Sequence, residues 1–220
     1  MPAPRGEDRI GTGRLRVIAC GMIAREAIAV RDLCGLAHVE VTALPARWHF
    51  EPDRIVEGVR QAIADARAEG VTDIFVGYGD CGTGGGVAAL CDALGVAWLE
   101  SPHCFATYLD RGPEETDEHD LAAFYVTDFL ARQPDAFLWR PLGLDRHPEL
   151  AADYFGHYER VRHLAQTDDP ALDASAREIA DRLGLRYERT ATGYGALLSL
   201  VARWAGKARE GSLAASGDRA

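Results

Sequence analysis

The sequence predicts an α/β protein with a mostly parallel sheet and helices on both faces, a Rossmann-like arrangement. Strand-length apolar runs alternate with segments whose apolar residues recur at helical spacing, in the order βαβαβαβ. The strand runs, such as Ile74-Phe75-Val76, are continuous rather than alternating, which is typical of strands buried on both faces. A second set of elements near the C-terminus predicts a smaller βαβ lobe.

Glycine and proline at the ends of the periodic segments set the expected bounds of the elements. For the first lobe we predict strands at residues 14–19, 39–44, 74–76 and 96–99, and helices at 22–34, 52–70 and 87–94. For the second lobe we predict strands at 124–126, 162–165 and 185–188, and helices from residue 128, at 148–158 and at 170–183.

The same reading divides the chain into four parts. Residues 1–13 are a flexible N-terminus, and residues 14–110 form the core lobe that carries the candidate site. Residues 111–205 form a second α/β lobe packed on the first, and the small, polar residues 206–220 are expected to be a disordered tail.

Composition excludes several classes of partner and location. The 220 residues carry a net charge of -10, which argues against nucleic acid or an anionic membrane surface as the main partner. A small-molecule substrate or another protein is the expected partner. No apolar run reaches membrane-spanning length, and the first residues lack the apolar core of a signal peptide. The five cysteines are odd in number and widely spaced, so we expect a reducing, cytoplasmic location rather than a disulfide framework.

Three of the cysteines are candidate metal ligands. Cys20, Cys81 and Cys104 each follow a predicted strand, whereas Cys34 and Cys91 lie on apolar helix stripes and are expected in the core. If the three strands are neighbours, their carboxyl ends bring the three thiols to one rim of the sheet. Three thiolates with a vacant fourth position suit zinc or an iron–sulfur cluster with an open iron. No local metal motif such as C-x-x-C supports this, and plain packing of strand-end cysteines is the alternative.

Polar residues beside these thiols are candidate catalytic groups. Asp80 and His103 adjoin Cys81 and Cys104, and with Thr83 they are expected to surround the metal site. A further alternative makes Cys81 a nucleophile, activated by the following helix and by His49 or His103. His49 follows the second strand, so it reaches the same rim or is merely a surface-loop aromatic; the sequence leaves both readings open.

The glycine run after the third strand has two interpretations. Gly77-x-Gly79-x-x-Gly82 matches the dinucleotide fingerprint, with Glu100 where a ribose-binding acid would stand. Asp80 within the turn would repel a pyrophosphate, which argues against this oxidoreductase alternative. In the other interpretation, Thr83, Gly84 and Gly85 form an anion- or cofactor-binding turn at the start of a helix.

Five segments carry a resemblance to the family called domain of unknown function 1638. They are Ile18-Ala-Cys20-Gly, Gly79-Asp-Cys81-Gly-Thr-Gly-Gly, His103-Cys104, Gly143-Leu-Asp-Arg-His147-Pro-Glu-Leu and Thr192-Gly-Tyr-Gly. The resemblance covers residues 14–204. It implies a link to corrinoid-dependent methyl transfer in methylotrophic archaea and to cobalamin-dependent methionine synthesis, or its reactivation, in some bacteria. It implies no catalytic residue.

Together these observations predict a metal- or iron–sulfur-binding protein that acts in corrinoid-linked methyl transfer or methionine synthesis, as an enzyme or as a redox or reactivation accessory. A corrinoid protein is then the expected macromolecular partner. Two alternatives stay open at this point: the dinucleotide-dependent oxidoreductase, and a metal-free binding module that docks a corrinoid protein.

Overall fold

The computed structural model describes residues 13–109 and 121–217. The chain forms two compact units, one made of the residues up to Thr107 together with the segment from Ala196, the other of Tyr108–Gly195. Each unit contains its own parallel sheet with associated helices. The predicted α/β class, with a smaller second βαβ lobe, is confirmed.

The first unit is built on four parallel strands in the spatial order β2-β1-β3-β4. The strands are β1 (Leu15–Cys20), β2 (Val39–Leu44), β3 (Asp73–Gly77) and β4 (Ala97–Trp98). Strands β1 and β3 lie in the middle and every one of their residues is buried, as the continuous apolar runs predict. The register pairs Cys20 with Leu44 and Ala19 with Gly77, so β1, β2 and β3 end at the same edge.

Helices connect these strands. They are α1 (Ala24–Leu33), α2 (Asp53–Ala68) and α3 (Gly86–Leu94), with 3-10 helices at Ala46–Phe50 and Cys104–Tyr108. The predicted apolar stripe of α2, including Ile55, Val59 and Ile63, is buried. Cys34 is the exception to the predicted stripes: it follows the last turn of α1 and is exposed, so its expected core role is wrong.

The second unit contains three parallel strands in the order β5-β6-β7. Its elements are β5 (Ala123–Thr127), α4 (Asp128–Arg132), α5 (Ala151–Phe155), β6 (Arg160–Ala165), α6 (Pro170–Leu183) and β7 (Arg186–Ala191). Helix α6 has its predicted bounds, because the Asp169 side chain accepts a hydrogen bond from the Ala171 amide (2.9 Å) and Gly184 ends it in a left-handed conformation. The helix predicted at 148–158 is instead a 3-10 turn, Pro148–Leu150, followed by α5.

The last helix, α7 (Ala196–Gly217), belongs to the first unit although it follows the second in sequence. The Trp204 ring stacks on Phe75 of β3 with centroids 5.2 Å apart, and His38 Nε2 donates to the Ala205 carbonyl (3.0 Å). Because α7 packs on the first unit, the second unit ends at Gly195 rather than at residue 205. The order of the elements along the chain does not reveal such a contact between distant residues. The helix also runs beyond residue 206, where a disordered tail was expected; the predicted flexibility of residues 1–13 falls almost wholly outside the described residues.

None of the helices in the described ranges has the length and apolar character needed to cross a membrane.

A buried polar network joins the strands of the second unit. The fully buried Asp128 carboxylate contacts His163 Nε2 (3.1 Å) and accepts hydrogen bonds from the Thr167 amide (2.9 Å) and hydroxyl (2.6 Å). Nδ1 of His163 lies 3.1 Å from the Tyr187 hydroxyl, which donates to Asp173. Burial favours a protonated Asp128, but its hydrogen bonds to His163 and Thr167 outweigh burial and lower the pKa of Asp128.

Replacing Asp128 should therefore destabilise the protein in a pH-dependent way. Because the folded pKa is depressed, the carboxylate contributes stability above the unfolded value of about 3.9 and loses it as the pH falls through the folded value. We expect Asp128→Asn to lower the free energy of unfolding by about 3 kcal/mol at pH 7 and by clearly less at pH 3. Urea denaturation at both pH values measures this, with the exposed Asp153→Asn as control. A pH-independent difference would contradict an ionic contribution.

Candidate metal site

The strand order brings four distant side chains to one edge of the first sheet. His49 follows β2, Cys20 ends β1, Cys81 follows β3 and Cys104 follows β4, so the residues come in the same order as the strands β2-β1-β3-β4. The carboxyl ends of parallel strands are the usual ligand-binding edge of such sheets, especially where the strand order reverses, as it does between β1 and β3. The condition on which the three-cysteine prediction depends, that β1, β3 and β4 are neighbours, is met.

Two thiols and one imidazole form a cluster that can hold a metal ion. The donor atoms of Cys20, His49 and Cys104 all lie within 4.8 Å of one another. Cys20 Sγ is 3.7 Å from His49 Nδ1 and 3.9 Å from His49 Nε2. The edges of a tetrahedral zinc site with sulfur and nitrogen donors measure about 3.5–3.8 Å. The described residues thus place donors at nearly the separations that one ion requires.

Hydrogen bonding orients the imidazole for ligation through one nitrogen. His49 Nδ1 donates to the Ala46 carbonyl (3.2 Å), which leaves the lone pair on Nε2. A histidine ligand typically donates its other N–H to a backbone carbonyl in this way, and the bond fixes both the tautomer and the ring orientation. The sequence left His49 undecided between this rim and a surface loop, and the structure places it in the cluster.

Cys81 lies beside the three-donor set without belonging to it. Its pKa is lowered by hydrogen bonding to Cys104, against the effect of burial, and by interaction with His49, so both groups are its neighbours. Its φ of 47° makes it the one non-glycine residue with positive φ in the described ranges. This backbone conformation is costly for a residue with a Cβ and is typical of functional sites. Of the three predicted ligands, the structure therefore groups two with His49 and leaves Cys81 adjacent.

The titratable groups of the cluster change one another's pKa values. Burial opposes ionisation of Cys20, but hydrogen bonding to Cys104 and His49 lowers its pKa. Hydrogen bonds to Cys20 and Cys81 raise the pKa of Cys104, and burial raises it further. Burial alone would lower the pKa of His49, yet its interactions with Cys20 and Cys81 raise it. Interactions within the cluster thus oppose the effect of burial on the pKa of Cys20 and of His49, and they reinforce it on the pKa of Cys104.

Backbone contacts hold the Cys81 and Cys104 segments together. The Asp80 amide donates to the Ser101 carbonyl (2.8 Å), and the Cys81 amide donates to the Pro102 carbonyl (3.0 Å). Gly79 permits this approach, because a Cβ there would lie 2.5 Å from the Ser101 oxygen. The two loops form one continuous strip along the rim.

The residues expected to bind a cofactor bond instead to Asp80. The Asp80 carboxylate accepts from the Gly85 amide (2.6 Å), the Thr83 hydroxyl (2.9 Å) and the Gly84 amide (3.3 Å). The hydrogen bond from Gly85, together with those from Thr83 and Gly84, lowers the pKa of Asp80 despite some burial. The donors that a pyrophosphate would use at the start of α3 are therefore occupied, which weakens the dinucleotide alternative.

The other candidates lie away from the cluster. The His103 side chain is exposed and its ring stacks on Phe105 with centroids 5.3 Å apart, while Glu100 is exposed. Cys91 is buried in α3, as predicted. Sequence reasoning missed Tyr78, which is fully buried and whose ring lies 6.5 Å from that of His49. Its position between Gly77 and Gly79 at the end of the central strand was the available indication.

Most of the chain, including three of the four residues at this edge of the sheet, matches a known protein family. The model of the family described as "Protein of unknown function (DUF1638)" matches residues 43–201. The chain belongs to this family. The matched part includes His49, Cys81 and Cys104 and begins after Cys20, so it is shorter at the N-terminal end than the resemblance suggested. No curated protein and no solved structure matches the chain.

Gly58 of α2 should be essential for the position of His49. A Cβ on Gly58 would lie 2.1 Å from Cζ3 of Trp48, the residue before His49, so the indole occupies the space that a side chain would fill. An alanine inside a helix normally stabilises it by up to about 1 kcal/mol relative to glycine. We expect the opposite here: Gly58→Ala should lower the free energy of unfolding by about 1–3 kcal/mol in urea denaturation, because it overpacks against Trp48. A stabilised variant would contradict the packing.

Asp80 should act as a structural cap rather than as a catalytic acid. We expect Asp80→Ala to lower the free energy of unfolding by about 1 kcal/mol, because the Gly84 and Gly85 amides and the Thr83 hydroxyl lose their acceptor. Asp80→Asn, which retains one acceptor oxygen, should lose less. Chemical denaturation of the three proteins measures the order, and equal stability of Asp80→Ala and the parent protein would show that the cap is unimportant.

Proposed function

We propose that the protein binds one zinc ion at Cys20, His49 and Cys104 and uses it to activate a thiol for methyl transfer. The observation that carries the proposal is the convergence of these three donors, from the end of β1 and from two 3-10 helices, at the carboxyl edge of the sheet. Sulfur and imidazole donors in tetrahedral arrangement are the ligand set that zinc prefers.

The donor separations favour a single ion over an iron–sulfur cluster. In a cluster the cysteine sulfurs bind different irons and therefore lie farther apart than the edge of one tetrahedron. Here the donor atoms stay within 4.8 Å of one another. The iron–sulfur expectation becomes the alternative that the experiment must distinguish.

The site resembles catalytic zinc sites because three protein donors leave a fourth coordination position, and Cys81 lies next to them. Catalytic zinc commonly has three protein ligands, Cys₂His among them, whereas structural zinc has four. Cys81 adjoins the cluster in a strained conformation, so we infer that it occupies the fourth position at rest and yields to a substrate thiol. The zinc ion would supply acidity, so that a bound thiol is deprotonated at neutral pH.

Methyl transfer from a corrinoid to that thiolate is the reaction that accords with the family resemblance. The S–CH₃ bond forms as the Co–CH₃ bond of the methylcorrinoid breaks, and the bonding electron pair remains on cobalt. The protein's own residues then orient the incoming thiol: His49 is fixed by Ala46, and the Cys81 and Cys104 loops are fixed by their shared backbone bonds. A thiol such as homocysteine is the small-molecule substrate, and a corrinoid protein is the partner.

Metal content measured after anaerobic purification tests the proposal. We expect about one zinc per chain, no stoichiometric iron or sulfide, and no visible absorbance. Cys104→Ser and Cys20→Ser should lose the zinc, because each removes one of three ligands. Cys91→Ser is the matched control, since Cys91 is a buried cysteine of the same unit outside the cluster, and it should retain zinc.

Other outcomes separate the alternatives. Iron with matching sulfide and a broad absorption band near the violet edge of the visible spectrum would favour a cluster. No metal in any preparation, and no zinc binding on titration, would overturn the metal site and favour the metal-free binding module. Zinc bound without thiol methylation when a methylcorrinoid and homocysteine are supplied would retain the site and reject the reaction.

A further inference from the structure

We propose that the Tyr78 hydroxyl is a positioning group for the metal site: it donates a hydrogen bond to the Cys20 thiolate when the ion is bound. The inference rests on the proposed zinc site and names a residue that neither sequence spacing nor the donor set identifies. Tyr78 follows β3 directly, next to the strand β1 that Cys20 ends.

The first observation is a buried hydroxyl that lacks a partner. The Tyr78 side chain is fully buried, and its oxygen makes no hydrogen bond of acceptable geometry to any described residue. Buried hydroxyl groups are nearly always hydrogen-bonded, because an unpaired one loses its interactions with water without replacement. The unpaired Tyr78 hydroxyl beside the three donor residues therefore points to a hydrogen bond that forms when a metal ion is bound.

The second observation identifies the acceptor. The register pairs Ala19 of β1 with Gly77 of β3, so the next residues on these adjacent strands, Cys20 and Tyr78, are neighbours. The Tyr78 ring also lies 6.5 Å from the ring of the ligand His49. Burial raises the pKa of Tyr78 and the Cys20 thiol raises it further, which accords with this placement. The Met22 amide donates to Cys20 Sγ (3.4 Å), so the sulfur accepts one backbone hydrogen bond.

Ligation changes what the hydroxyl can do. A thiol is a weak acceptor, but a zinc-bound sulfur is a thiolate, which carries negative charge and accepts O–H hydrogen bonds well. Substitution of a residue that hydrogen-bonds to a metal ligand commonly changes metal affinity by about 10- to 100-fold. The same bond also decreases electron donation from sulfur and fixes the Cys20 rotamer.

Tyr78→Phe separates this role from simple packing, because it removes only the hydroxyl. In the metal-free protein we expect an unchanged or higher urea midpoint, since the substitution eliminates an unpaired buried group. In a competition titration with zinc and a chromophoric chelator we expect about tenfold weaker binding. A packing role predicts the reverse combination: lower metal-free stability and equal affinity. Tyr154→Phe, an exposed tyrosine in the second unit, is the control and should match the parent in both assays.

A cobalt-substituted protein provides an independent readout. A hydrogen bond to a thiolate lowers the energy of the sulfur lone pair, so its removal should shift the sulfur-to-cobalt charge-transfer band to longer wavelength in Tyr78→Phe. Equal zinc affinity and an unshifted band would overturn the role of Tyr78 while leaving the zinc site intact. Failure of the parent protein to bind either metal would instead overturn the proposed function on which the inference rests.

Discussion

The parallel register of β1, β2 and β3 is the constraint on which the candidate site depends. These strands are hydrogen-bonded in register and end at a common edge, so residues 20, 49, 81 and 104 meet without any local motif. A one-residue slip in a strand would turn its side chains to the opposite face. The candidate metal site is therefore a property of the strand order, which is why its donor residues are so widely spaced in sequence.

Bringing three thiols and an imidazole together creates an electrostatic problem that the fold only partly solves. Cys20 and Cys81 raise the pKa of His49 and of Cys104, so they favour a charged imidazole and a protonated Cys104 thiol. The Tyr78 hydroxyl is left unpaired, and Cys81 is held in a left-handed conformation. A divalent cation would replace the protons on His49 and Cys104, make Cys20 a thiolate acceptor for the Tyr78 hydroxyl and offer Cys81 a bonding partner.

Most of the fold could be predicted from the sequence because local and global preferences agree. Strand β2 and helix α6 have their predicted bounds, since proline, glycine and a capping aspartate mark their ends. The assignment of α7 could not be predicted, because the stacking of Trp204 on Phe75 is a contact between distant residues. Cys34 was misplaced because it follows the end of α1, where helical periodicity no longer determines which side chains are buried.

The candidate site could be predicted less completely, for a physical reason. Strand ends locate backbone positions well, so Cys20, Cys81 and Cys104 were identified, but they do not determine where each side chain points. His49 depends on a 3-10 helix fixed by the packing of Trp48 on Gly58, and His103, one residue before Cys104, points to solvent.

Asp80 shows why a glycine fingerprint is insufficient evidence for a nucleotide site. In a dinucleotide-binding turn, the amides at the start of the helix remain free for the pyrophosphate, and the helix dipole adds to the attraction. In this chain the Gly84 and Gly85 amides donate to the Asp80 carboxylate, which provides the negative charge from within the loop. A ligand phosphate would have to displace a bonded carboxylate and would then face its charge. The same hydrogen bonds order the loop that follows Cys81. The glycine-rich turn therefore positions a thiol at the rim, at the place where a dinucleotide-binding turn would hold a phosphate.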